Sequence, residues 1–321
     1  MVRLAIDVMG GDHGIAPLVM GALRALKKSP SLHLTLVGDP EQIQACLSES
    51  SVRDRYQIAK ALEAVDMEDN PLGALRTKPA ASMAVALDLA VDQEVDGVVS
   101  AGNTGALVAF SVKKVGMMEK YSRPAICTQV PNATGRTWLL DLGATLAATE
   151  DRLVELAKLG AAQCRAYNQI EKPKVGLLNV GVEVGKGTEE LQLASERLAN
   201  DDQIEYCGYV EGSSIFSSSI DVVVCDGFSG NVAIKAAQGV AQLIVARFSK
   251  LDGLSLFERL RLWLAGSALR QIGRQLDPSA YNGAPLLGLK HLVVKSHGNA
   301  DARGFANAIL LAESMAARQA S

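Results

Sequence analysis

Short apolar runs alternate with longer stretches of helical period along almost the whole chain. Val2–Ile6, Leu32–Val37, Val175–Val180, Ile204–Val210 and His291–Lys295 are rich in Val, Ile and Leu and too short for helices, which predicts buried strands. Gln57–Glu63 carries a weaker version of the same pattern. Between them, Pro17–Lys28, a segment from about Glu41, Ala81–Gln93, Glu150–Gln169 and a closing segment to about Arg318 repeat their apolar residues at helical spacing. This rhythm predicts an α/β protein with a largely parallel sheet. Four stretches break it. Asp66–Pro79, with Pro71, Gly73, Arg76, Lys78 and Pro79, reads as a loop, and so does YNGAPLLG at 281–288. Ala125–Val130 and Thr137–Leu142, joined by PNATGR, read as a hairpin that leaves the main sheet or lies at its edge. In Leu251–Leu276, Leu256, Leu260, Trp263 and Leu264 fall at i, i+4, i+7 and i+8, with Arg259, Arg270 and Arg274 beside them. That is a basic amphipathic helix, or a pair broken near Gly266, and it is read as a protruding element.

The chain is organised around Asp221–Lys235, DVVVCDGFSGNVAIK. A β-branched run leads into a glycine-bracketed turn carrying carboxylate, hydroxyl and amide groups. From Asn231 onward Val232, Ala236 and Val240 recur at steps of four, so the helix is expected to start there. Asp96–Phe110, DGVVSAGNTGALVAF, aligns with it without gaps as D-x-V-V-[S/C]-x-G-x-x-G. Strand, glycine turn and helix start aim backbone N–H groups and the positive end of a helix dipole at an anion. Ser100, Gly102, Asn103 and Thr104 in one copy, and Asp226, Gly227, Ser229, Gly230 and Asn231 in the other, are therefore candidate contacts for a phosphate-like group.

Other polar glycine turns follow strands. Asp7 ends the first and MGGDHG follows with Asp12 and His13, putting three titratable groups at one strand end, and Asp141 opens another such turn after the hairpin. Asn179 precedes GVEVGKGTEE, which superficially looks like an ATP-binding P-loop. Gly187 follows Lys186 where that motif needs Ser or Thr, which excludes it. No G-x-G-x-x-G with a downstream ribose acid follows the first strand, so a dinucleotide site has little support.

The 321-residue length fits one large domain or two, and the 29 glycines with 4% aromatics suit close-packed layers and tight turns. A net charge of −3 argues against a nucleic-acid binder. Cys46, Cys127, Cys164, Cys207 and Cys225 are scattered without metal-ligand spacing, as are the four histidines. No metal site is expected, and the cysteines read as small hydrophobes in a reducing compartment. The amino-terminal stretch lacks the features of a signal peptide, and no apolar run is long enough to span a bilayer. A cytoplasmic location is the expectation.

IDVMGGDHG, VVSAGNTGAL, LLDLGA, LLNVGVEVGKGTE, VVVCDGFSGN, NGAPLLG and KSHGNADARGFANAI together resemble the bacterial acyl-ACP:phosphate acyltransferases, the PlsX family, in order and over nearly the whole chain. Three positions depart from the pattern: Val182-Glu183-Val184 is less acidic, Ser229 replaces a Val-like residue, and Thr145 replaces Asn. The resemblance implies a single Rossmann-like α/β/α sandwich over residues 1–321, related to the isocitrate/isopropylmalate dehydrogenase group, working as a homodimer. It also implies transfer of an acyl group from acyl carrier protein to inorganic phosphate, giving acyl phosphate for phospholipid synthesis, with no cofactor. Reversible membrane contact and hand-off to a membrane glycerol-3-phosphate acyltransferase follow in the same way. Leu256, Phe257, Arg259, Leu260, Trp263, Leu264, Arg270 and Arg274 are the expected membrane contacts.

Phosphate attacking a thioester needs a held anion and a stabilised oxyanion, while the alkyl thiol leaves readily as thiolate. No covalent nucleophile is required, in keeping with the absence of a G-x-S-x-G elbow. Ser100, Asn103, Thr104, Ser229 and Asn231 are assigned to phosphate or oxyanion contacts and Lys186 to charge neutralisation. His13, Asp226 and His297 are candidates for acid/base or orienting roles, with Asp12, Gly102, Asn179, Gly227 and Gly230 as further substrate contacts. Two alternatives stay open: a phosphate acyltransferase acting on acyl-CoA, and a non-catalytic phosphate or nucleotide sensor.

Overall fold

The computed structural model describes residues 1–47, 52–133, 135–217, 220–249 and 281–319. The expected amphipathic segment at 251–276, with its eight proposed membrane contacts, lies outside the described residues. The chain runs β1 (Val2–Asp7), α1 (Ile15–Lys28), β2 (Leu32–Gly38), α2 (Pro40–Cys46), β3 (Tyr56–Lys60), α3 (Pro71–Thr77), α4 (Ser82–Val91), β4 (Gly97–Ser100) and α5 (Thr104–Lys114). It continues β5 (Ala125–Asn132), β6 (Gly135–Leu140), α6 (Glu150–Asn168), β7 (Lys174–Asn179), α7 (Glu189–Ala199), β8 (Glu205–Glu211), β9 (Val222–Val224) and α8 (Gly227–Ser249). Last come β10 (Ala284–Leu287), β11 (Leu292–Lys295) and α9 (Ala302–Gln319).

The strands form one 11-stranded sheet in the order β3-β2-β1-β4-β11-β10-β5-β6-β9-β7-β8. β1, β2, β3, β4 and β11 are parallel, and so are β6, β7, β8 and β9. Three successive antiparallel pairings, β11–β10, β10–β5 and β5–β6, separate the groups, so the two parallel blocks run in opposite directions. Helices cover both faces. Leu4 and Ile6 of β1 pack against α1 and α9, whereas Ala5, Val98 and Val293 meet α4 and α5 on the other side. Each buried Val, Leu or Ile contributes about 1.5–3 kcal/mol relative to exposure, which accounts for the near-continuous apolar strands.

Four expectations are corrected. The β5–β6 hairpin lies near the middle of the sheet, because Ala125–Val130 and Thr137–Leu140 are buried on alternate faces alike and need covering on both sides. YNGAPLLG contains β10, a four-residue strand set between Gly283 and Gly288 at positive φ; glycines and Pro285 masked it. Asp66–Pro79 contains α3, with Pro71 in its first turn and Asn70 Oδ1 accepting from the Gly73 N–H. Finally, α8 begins at Gly227 rather than Asn231, because Asp226 caps it: Oδ1 accepts from the Ser229 N–H at 2.9 Å and Oδ2 from the Ser229 hydroxyl at 2.8 Å.

Candidate active site

Three neighbouring parallel strands, β1, β4 and β11, each end an apolar run with a polar residue, and register places Asp7, Ser100 and Lys295 in one cross-strand row. The row is buried. Asp7 accepts hydrogen bonds from the hydroxyls of Ser82 (2.7 Å) and Ser100 (2.6 Å) and from the Met9 N–H (3.2 Å). Burial raises its pKa, and these donors pull it back down. Ser100 also accepts from the Gly102 N–H. Ser100 is thereby committed to the protein, as is Asn103, which caps α5 at the Ala106 N–H and donates to the Met67 carbonyl.

The two copies of the glycine-turn motif do different work. In α5 the Asn103 cap serves Ala106, and the N–H groups of Thr104 and Gly105 have no partner among the described residues. In α8 the N–H of Gly227 donates to the Thr145 carbonyl, that of Phe228 to the Leu146 carbonyl and that of Ser229 to Asp226. The first helix start is open to an anion and the second is closed. Close contact explains the second: a Cβ on Gly227 would lie 2.6 Å from the Thr145 oxygen.

Asp141 organises the segment that closes α8. Its carboxylate, at the end of β6, accepts from the N–H groups of Ile126, Gly143, Ala144 and Thr145 at 2.7 to 3.2 Å. Burial raises its pKa, opposed by these N–H groups and by Arg152.

Between α8, β5 and the ends of β11 and β4 lies a cavity of about 1530 Å³. Its lining includes the polar side chains of Asp12, Thr104, Asn231, Lys235, Lys295 and His297. It also includes the apolar side chains of Val130, Leu142, Leu146, Phe216, Ile234 and Val240. His297 contacts Gln238 through Nε2 at 3.3 Å. Its pKa is lowered, first by partial desolvation and then by Lys295 and Lys235, so its ring is held neutral at lower pH than an ordinary histidine.

Of the sequence-expected residues the cavity therefore gathers Asp12, Thr104, Asn231 and His297. His13 is exposed, and Asn179 is buried, bonded to the Lys186 carbonyl. Lys186 lies on the exposed loop after β7, away from the cavity wall. Asp226, Gly227, Ser229 and Gly230 form the closed start of α8 and Gly102 the packed β4–α5 turn, where a Cβ would meet the Met83 side chain at 2.7 Å. Sequence reading missed Lys295 and Lys235 as cavity residues. For Lys295 a signal existed, since LVVK ends an apolar strand in a charge as VRLAID and GVVS end theirs in polar groups.

The model of the family described as fatty acid synthesis protein matches residues 2–321. The chain belongs to this family. It is 44% identical over 314 residues to the phosphate acyltransferase of Methylococcus capsulatus, covering 97% of this chain and 92% of the relative. Identity with the phosphate acyltransferase of Halorhodospira halophila is 42%, covering 96% and 90%. Among solved structures, a phosphotransacetylase from Streptococcus pyogenes superposes with a TM-score of 0.63 at 16% identity, covering 100% of this chain and 94% of that one. A 4-hydroxythreonine-4-phosphate dehydrogenase from Klebsiella pneumoniae follows at 0.55 and 12%, covering 98% of each chain. These two share the fold. The family relationship establishes an enzyme that transfers acyl groups to phosphate. Among the described residues no helix is long and apolar enough to cross a membrane.

Proposed function

We propose that the acyl donor is a thioester of acyl carrier protein and that the product, an acyl phosphate, enters phospholipid synthesis through phosphatidic acid. The observation that carries this reading is a cavity lined both by the cations Lys235 and Lys295 and by apolar side chains, which suits a phosphate meeting a long acyl chain. A phosphate oxygen attacks the thioester carbonyl carbon. The new C–O bond forms, the C–S bond breaks, and its electron pair leaves on sulfur as thiolate. Asn231 and Thr104 reach the cavity to donate to phosphate or oxyanion. His297, kept neutral, orients a reactant, and Asp12 borders the same space. Lys186, on its exposed loop, is proposed to neutralise charge on the donor side. Ser100, Asn103, Ser229 and Asp226 support this site through the turns they fix.

A thioester assay comparing acyl carrier protein and CoA donors of equal chain length tests the donor. Phosphate-dependent thioester loss is expected with kcat/KM at least about tenfold higher on the carrier protein, the equivalent of about 1.4 kcal/mol from its protein surface. Equal or better use of CoA would move the enzyme to the CoA-dependent class. Phosphate binding without thioester loss would make it a sensor.

The reading extends to a cytoplasmic homodimer of isocitrate/isopropylmalate dehydrogenase kinship. A protruding amphipathic segment at about 251–276 would touch the membrane reversibly and pass product to a glycerol-3-phosphate acyltransferase. The pattern of Leu256, Phe257, Leu260, Trp263 and Leu264 beside Arg259, Arg270 and Arg274 supports it. Wild type is expected to float with anionic vesicles, less so at high salt, and Leu260→Glu/Trp263→Glu to stay behind as an active dimer. A monomeric double variant would assign that face to the dimer instead.

A further inference from the structure

Lys295 is a buried cation without a bonded carboxylate among the described residues. It is 9% exposed, and its Nζ donates to the carbonyls of Ala101, at 3.2 Å, and Ser296. An ammonium carries three N–H donors, so one remains uncommitted, and Lys295 forms part of the cavity wall. Asp7, its neighbour in the cross-strand row beyond Ser100, is bonded to two hydroxyls and an N–H rather than to Lys295. Asp12 is exposed and packs against Gly298. Burial lowers the Lys295 pKa to about 8, with Asp12 and Asp7 opposing it. Such a charge is costly to keep unless something completes it.

The completing group has a place to sit. Ala101, whose carbonyl holds Nζ, precedes by three residues the open start of α5. There Thr104 and Gly105 border the same cavity with N–H groups that have no partner among the described residues. Cation and helix start thus converge on one cavity wall, where among the described residues no carboxylate is hydrogen-bonded to Lys295.

We propose that Lys295 and the first turn of α5 form the subsite for the phosphate co-substrate, the ammonium supplying its counter-charge. This rests on acyl transfer to phosphate and is independent of which thioester donates the acyl group. Lys295 stays protonated throughout: it neither gives nor takes a proton as phosphate oxygen replaces sulfur on the carbonyl carbon. Lys186 and the α8 turn are then relieved of holding the free anion.

Lys295→Met keeps the apolar stem and removes the charge. Its KM for phosphate is expected to rise about 10- to 100-fold, the worth of a charged hydrogen bond, while the KM for thioester stays within about twofold. Inorganic phosphate should also cease to raise its melting temperature. In the wild type the KM for phosphate should climb above pH 8 as Lys295 loses its proton; in Lys295→Arg, whose guanidinium stays charged, the climb should vanish. Asp7 and Asp12 from β1 and the following loop, Lys235 from α8, and His297 and Asp301 after β11 are the other charged or titratable groups around this end. All are retained in the Arg variant. An unchanged KM for phosphate and an intact phosphate-induced thermal shift in Lys295→Met would overturn the proposal. If that variant does not fold, an alkaline climb surviving unchanged in Lys295→Arg overturns it equally. Wild type lacking phosphate-dependent thioester loss would instead sink the family activity, so the two failures are distinguishable.

Discussion

Asn231→Ala is expected to lower kcat by about 10²–10³-fold, the usual cost of removing one preorganised donor to a developing oxyanion. Asn231 sits on the cavity side of α8, and its side-chain amide makes no hydrogen bond among the described contacts. The helix beneath it is fixed by Asp226, Thr145 and Leu146, so the amide is presented from a rigid base. Because it is only half buried and has no hydrogen-bond partner among the described residues, removing it should shift the melting temperature little. Steady-state kinetics beside a thermal melt separates the outcomes: normal kcat removes Asn231 from the chemistry, and unfolding makes it a structural residue. Lys186→Ala is expected to fall in kcat as well, through the donor side. If it retains activity while Asn231→Ala loses it, the reaction is confined to the cavity.

The other large effect is structural. Asp141→Ala strips the acceptor from four backbone N–H groups at once, those of Ile126, Gly143, Ala144 and Thr145. Each buried donor left unsatisfied costs about 1–3 kcal/mol, reduced where water enters. A loss of at least about 4 kcal/mol is expected, enough to unfold many domains at 37 °C. The damage should spread, since the 142–146 segment also supplies the Thr145 and Leu146 carbonyls that close α8 and the Leu142 and Leu146 side chains of the apolar cavity wall. Asp141→Asn keeps one oxygen acceptor and should fall between the two. An Ala variant melting within a degree or two of wild type would mean that the turn holds without its carboxylate.

Most strands and helices were legible because their burial is uniform: a β-branched run bounded by glycine has little else to be. The failures share a cause. Whether the β5–β6 hairpin sits at an edge or in the centre depends on what lies on either side, here β10 and β9, which follow it far along the chain. Local sequence carries no record of that. β10 was hidden by Pro285 and two glycines, residues that ordinarily argue against a central strand. The α8 boundary was misplaced because the apolar periodicity begins only at Val232, whereas Asp226, which stands where Ala101 stands in the other copy, caps the helix so that it starts at Gly227.

The candidate site was legible in part for a related reason. Strand-end glycine turns pointed to Asp12, Thr104, Asn231 and His297, and these do meet in the cavity. The same reasoning credited Ser100 and Ser229 with ligand contacts, although Asp7 and Asp226 already engage their hydroxyls. A hydroxyl in a turn looks alike in sequence whether its partner is a ligand or a neighbouring carboxylate. Lys295 was overlooked because one lysine at a strand end resembles an ordinary solvated charge; only the register with Asp7 and Ser100 shows that it is buried.

The central claim is that one cavity brings phosphate and an acyl thioester together. A crystal structure of the enzyme with inorganic phosphate and a non-hydrolysable acyl-pantetheine analogue tests it most directly. The expected result places a phosphate oxygen within hydrogen-bonding distance of Lys295 Nζ and the Thr104 N–H. The analogue's carbonyl should lie near Asn231 and its acyl chain along Val130, Leu142 and Ile234. Phosphate held by Lys186 on the loop after β7, with the cavity between β5 and α8 empty, would contradict the account.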